Sequence, residues 1–124
     1  MSPHIWVWKW HVTMLTSILH RASGMALFAG SFVVVGWLFA ITLGEEAYDA
    51  YAGLVGSPLG ILVMIAFTAA ALYHLLNGIR HLVWDVGHGY KPATANMTAW
   101  ATIILAALGT VGIWAYILLN VVEL

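Results

Sequence analysis

The chain has no cysteine and very little charge: of 124 residues, four are Lys or Arg and five are Asp or Glu. Without cysteine it holds no disulfide, no thiolate-ligated iron–sulfur cluster and no cysteine nucleophile. Net charge is −1 with histidine neutral, so no basic face exists to attract nucleic acid. Charged residues make up 7% of the chain and hydrophobic ones 63%, whereas a soluble domain carries roughly 25% and about 45–50%. A globule this small has too little interior to hide so much apolar surface. The mean hydropathy of +0.94 points the same way. The sequence reads as an integral membrane protein. Its start does not read as a cleavable signal, because aromatics and Lys9 interrupt it and the first apolar run is too long for an h-region.

The charged side chains divide the chain. No Asp, Glu, Lys or Arg occurs from Ala22 to Gly44, from Ala50 to Ile79, or from Pro92 to Val122. A helix needs about 20 residues to cross roughly 30 Å of hydrocarbon, so each gap holds one span and none holds two. The spans are expected near Ser17–Leu43, Leu59–Trp84 and Met97–Val121, within one membrane domain covering residues 1–124. Gly56-Ser57-Pro58 and Lys91-Pro92 supply breakers before the second and third. The runs are continuously apolar rather than alternating, which argues against a β-barrel.

Cations set the expected orientation. Lys9 and Arg21 precede or open the first span, and Arg80 and Lys91 flank the second connection. The first connection holds Glu45, Glu46 and Asp49 without Lys or Arg. With three spans all four cations fall on one side, which should be cytoplasmic, leaving the C-terminus periplasmic. Trp6, Trp8 and Trp10 alternate and suit an interfacial N-terminal segment.

Two polar clusters lie at membrane depth, where ionisable residues are costly and tend to be functional. In the first, Ser17, His20, Arg21 and Gly24 have i, i+3, i+4, i+7 spacing and share a helix face. A hydroxyl and a guanidinium there could bind a carbonyl or carboxylate oxygen. A snorkelling boundary arginine beside a serine bonded to its own helix explains the same residues equally well. In the second, His74, Asn77, Gly78 and His81 are expected on one face at the cytoplasmic end of the second span. His74 is the deepest titratable side chain, suited to a ligand, a proton path or an interhelical hydrogen bond. His74 and His81 stand about 10 Å apart along one helix, so they cannot both be axial ligands of one iron. If His74 binds a haem, its second ligand comes from another chain. Gly78 would leave room for the macrocycle, and Arg21, His20 and His81 could meet its propionates.

Ser2-Pro3-His4, the SILHRASG run from Ser17 to Gly24 and HLLNGIRHLVWD from His74 to Asp85 together resemble the cytochrome b556 membrane anchors of succinate dehydrogenase, respiratory complex II. The order, spacing and three spans match over effectively the whole chain, in the alphaproteobacterial and mitochondrial form. The resemblance implies an all-α membrane protein whose three transmembrane helices form half of a heterodimeric haem-binding bundle. It implies Ser17 and Arg21 at a ubiquinone site, and His74 as the axial ligand of haem b iron. His20, Arg21 and His81 would lie near the propionates, Gly78 against the macrocycle, and Asp85 at the helix end in a structural role. The implied partners are a smaller anchor subunit supplying the second histidine, an iron–sulfur subunit, and a flavoprotein carrying FAD that oxidises succinate. No residue for succinate oxidation is expected on this chain. The start at Met1-Ser2-Pro3 favours a bacterial inner membrane over the mitochondrial one.

Three other readings stand beside it. A haem-binding anchor of a quinol:fumarate reductase differs only in the direction of electron flow. A cofactor-free structural membrane protein would leave His74 as an interhelical contact. A proton-coupled transporter usually needs an acidic residue within a span, and here every acid lies outside the spans or at a helix end.

Overall fold

The computed structural model describes residues 12–88 and 91–121; His4, Trp6, Trp8, Lys9, Trp10 and His11 lie outside them. The described chain is helical: α1 Val12–Leu43, α2 Glu45–Val55, α3 Pro58–Asp85 and α4 Pro92–Asn120. Within these, Met14–Leu43, Pro58–Asp85 and Ala93–Asn120 are long and apolar enough to cross a membrane. The two shorter ones, of 28 residues each, extend about 42 Å at the rise of an α-helix. The three-helix, all-α membrane architecture expected from the charge-free gaps is the one observed.

Residues 45–55 depart from expectation, since the first connection forms a helix of its own. Gly44, at φ 111°, makes the sharp break after α1 that an L side chain would resist. Glu45 and Glu46 then occupy the first turn of α2, where carboxylates favour the helix dipole. Tyr51 donates its hydroxyl to the Val33 carbonyl of α1. Its ring lies over Gly36, where a Cβ would come within 3.2 Å of it, so α2 folds back against α1. The next break is capped: Ser57 Oγ accepts from Gly60 N at 3.1 Å with Pro58 following, a cap worth about 1 kcal/mol. A Cβ on Gly60 would sit 2.3 Å from the Leu54 carbonyl oxygen, so only glycine fits that turn.

α3 is central, packing against α1, α2 and α4, while α1 also meets α4. The outer faces are apolar: Phe28 and Phe32 on α1 and Leu119 on α4 are 70%, 65% and 82% exposed. The interior is small and polar instead. Ala95, Ala99, Thr102, Ala106 and Thr110 form the buried stripe of α4, letting helices approach closely, as small residues do in membranes. Thr102 and Thr110 bond back to the carbonyls of Thr98 and Ala106, each at 2.7 Å. Gly109 contributes to the close approach, since a Cβ there would lie 3.0 Å from Leu72 Cδ1. Gly112 does not, having nothing within 4 Å. The antiparallel order brings the start of α1, the end of α3 and the start of α4 together, so Arg21, Arg80 and Lys91 share one end of the bundle. Glu45, Glu46 and Asp49 lie at the other.

Candidate functional site

At the Arg21 end, α1 and α3 bring three histidines together. His20 of α1 stacks on His74 of α3 with ring centroids 4.1 Å apart and planes 10° from parallel. His81, two turns beyond His74, meets the His20 ring edge-on at 5.4 Å. Antiparallel packing explains the pattern, because positions i and i+7 of α3 bracket one position of α1.

The Ser23 hydroxyl touches both histidine segments. It donates to the His20 carbonyl at 2.9 Å, which uses its one hydrogen. Its oxygen lies 3.1 Å from His74 Nδ1, and with the hydroxyl hydrogen on that carbonyl Nδ1–H donates to Oγ. Nε2 then carries the lone pair, as a metal-ligating imidazole needs. Gly24 opens the seat for this ring, since a Cβ there would stand 3.3 Å from His74 Cε1. Gly78, one turn after His74, has open space where a Cβ would point. Nδ1 of His20 is buried with no partner among the described residues. A ring nitrogen free for iron, an open lane one turn away and a buried nitrogen awaiting a partner fit a haem. Among the described residues no three His, Asp or Glu converge as a bare metal site. His20 cannot oppose His74 across an iron, because the two rings lie face to face.

Ser17 and Arg21 flank this cluster on α1. Ser17 is half-buried and Arg21 exposed, and among the described residues no hydrogen bond links either to the histidines. Of the face expected to hold Ser17, His20, Arg21 and Gly24, His20 and Gly24 meet α3.

Asn77 and Arg80 depart from expectation. Asn77 does not share the face of His74 and His81; it is fully buried on the adjacent one with Tyr73 and Arg80. Arg80 is not a flanking interfacial cation but only 6% exposed. Its Nε donates to Thr98 Oγ1 at 3.1 Å, and Nη1 to Thr16 Oγ1 and Asn77 Oδ1, each at 3.3 Å. Nη2 donates to the Ala95 carbonyl at 3.2 Å, and the guanidinium carbon stands 4.0 Å from the Trp84 ring centroid. Tyr73 adds a bond from its hydroxyl to the Thr16 carbonyl at 2.8 Å. This node ties α1, α3 and α4 together, with Thr98 and the Ala95 carbonyl as the partners from α4. Ser23 and the Arg80 node were the residues that spacing arguments missed. The first stands three residues after His20, and the second at i+7 from Tyr73.

Comparison with known proteins matches residues 1–113 to the succinate dehydrogenase/fumarate reductase transmembrane subunit family. The chain is 37% identical over 114 residues to the succinate dehydrogenase cytochrome b556 subunit of Rickettsia typhi, covering 91% of this chain and 88% of that one. It is 34% identical to the corresponding subunit of Paracoccus denitrificans, covering 87% of this chain and 86% of the other. The human mitochondrial succinate dehydrogenase cytochrome b560 subunit is also 34% identical, over 93% of this chain and 69% of its own.

Proposed function

Since the chain belongs to the succinate dehydrogenase/fumarate reductase transmembrane subunit family, we propose that it lends complex II one haem ligand and one side of a quinone site. Its role is that of a membrane anchor. The names of its relatives, cytochromes b556 and b560, support a b-type haem here. His74 would hold the iron through Nε2, and the observation that carries this is the Ser23 Oγ contact at its Nδ1. The second ligand would come from a smaller anchor subunit, since His20 stacks on His74 and His81 stands about 10 Å along the same helix. His20, Arg21 and His81 would meet the propionates, and Gly78, open where a Cβ would point, would leave room for the ring.

When bound, the haem supplies a one-electron store beside the quinone path. Ser17 donates a hydrogen bond to a ubiquinone carbonyl, and Arg21 holds its charge over the carbonyl oxygens as they become negative. Both stand at the end of the bundle that carries the cations, which is cytoplasmic by the charge rule. There a lipid-soluble quinone meets water, whose protons complete its reduction to quinol. Succinate oxidation belongs to a flavoprotein subunit with FAD, and an iron–sulfur subunit passes the electrons on. The multi-pass chain sits in a bacterial inner membrane, a reading supported by the Rickettsia and Paracoccus relatives.

Purification through a tag on this chain tests the assembly. Co-purifying flavin, iron–sulfur and second anchor subunits, with one haem b per complex, are expected. A chain that purifies from native membranes alone and without haem contradicts the reading.

A further inference from the structure

Arg80 carries a permanent charge at 6% exposure. All four of its hydrogen bonds go to uncharged acceptors, on Thr98, Thr16, Asn77 and Ala95. Among the described residues no Asp or Glu forms an ion pair with it. The cleft of about 230 Å³ that it lines between α3 and α4 is otherwise walled by residues such as Leu76, Ile79, Val83 and Leu105, none of them acidic. A buried cation without a counter-charge is expensive, and packing alone would be served by an apolar residue of similar volume.

Its location suggests a use for the charge. The guanidinium stands 4.0 Å from the Trp84 ring, and Trp84 meets His81 edge-on at 5.3 Å. His81 meets His20 at 5.4 Å, and His20 stacks on His74 at 4.1 Å. A continuous run of rings joins the charge to His74, and a charge buried in this way is screened less than an exposed one.

We propose that Arg80 sets the reduction potential at the histidine cluster, its fixed positive charge favouring the electron-rich state of the redox group that His74 holds. The inference rests on the haem reading above. One electron added to the haem iron lowers its charge by one, and Arg80 stabilises that state without giving or taking a proton. At an effective dielectric of about 20, a unit charge about 10 Å away changes such an equilibrium on the order of tenfold.

The test is a dithionite titration of the haem, through redox mediators, in the purified complex. Arg80→Gln removes the charge, whereas Arg80→Lys keeps the charge and loses the fork of hydrogen bonds. The Gln variant is expected about 59 mV lower, the one-electron equivalent of tenfold, with the Lys variant near the unmodified complex. Thr98→Asp reads the same charge with Arg80 in place, since it puts a carboxylate where a hydroxyl now accepts from Nε. It is expected to lower the potential likewise, with Thr98→Asn as the uncharged control, and this pair carries the test should Arg80→Gln not assemble. Equal shifts in the Gln and Lys variants, or an unmoved potential in Thr98→Asp, overturn the proposal. No haem in the unmodified complex overturns the haem reading and this inference with it; haem with an unmoved potential overturns this inference alone.

Discussion

Ser23 Oγ of α1 lies 3.1 Å from His74 Nδ1 of α3 while donating its own hydrogen to the His20 carbonyl. With its hydrogen on that carbonyl, the hydroxyl favours the His74 tautomer that carries its proton on Nδ1 and keeps the lone pair on Nε2. Outer contacts of this kind commonly change metal affinity by about 10–100-fold when removed. Ser23→Ala should lower haem affinity within that range while the complex still assembles. Haem content per complex after graded detergent washing measures it, and unchanged retention would argue that the contact has no bearing on ligation.

Two glycines near His74 should respond differently. Gly24→Val presses on the imidazole, because even a Cβ would stand 3.3 Å from Cε1. Overpacking of this sort costs typically about 1–3 kcal/mol, so thermal stability and haem should fall together. A Cβ on Gly78 meets nothing within 4 Å in the bundle itself, so Gly78→Val should lose haem with little loss of stability in the haem-free chain. Thermal melts beside haem content separate the two, and equal destabilisation would remove the open lane from the account.

The quinone-site proposal separates two activities. Arg21→Leu and Ser17→Ala should each lower succinate:quinone turnover, by about tenfold or more for the arginine if its charge stabilises the developing anion. Succinate oxidation with a soluble dye acceptor should stay largely intact. If both activities fell together, these residues would be serving assembly instead.

Much of this was legible in the sequence, and the exceptions have physical causes. The charge-free gaps marked three helices because lipid tolerates few ionised side chains. Residues 45–55 looked like a connection because three acids in a short polar stretch suggest solvent, yet those in its first turn suit a helix start. Arg80 looked interfacial because it stands near a connection with Lys91. Its depth depends on Thr16 and Thr98, which come from two other helices that no local pattern brings together. Asn77 was placed beside His74 because i+3 neighbours share a broad face, but one step around the helix puts it with Tyr73 and Arg80. The stacking of His20 on His74 was implicit in two separate motifs, and only the α1–α3 register joins them.

The most direct test is a dithionite-reduced minus oxidised visible spectrum of the purified complex, unmodified and as His74→Leu. A sharp b-type α-band in the first, lost or displaced in the second, is the predicted result. The same band at the same intensity in His74→Leu would contradict the assignment of His74 as the haem ligand.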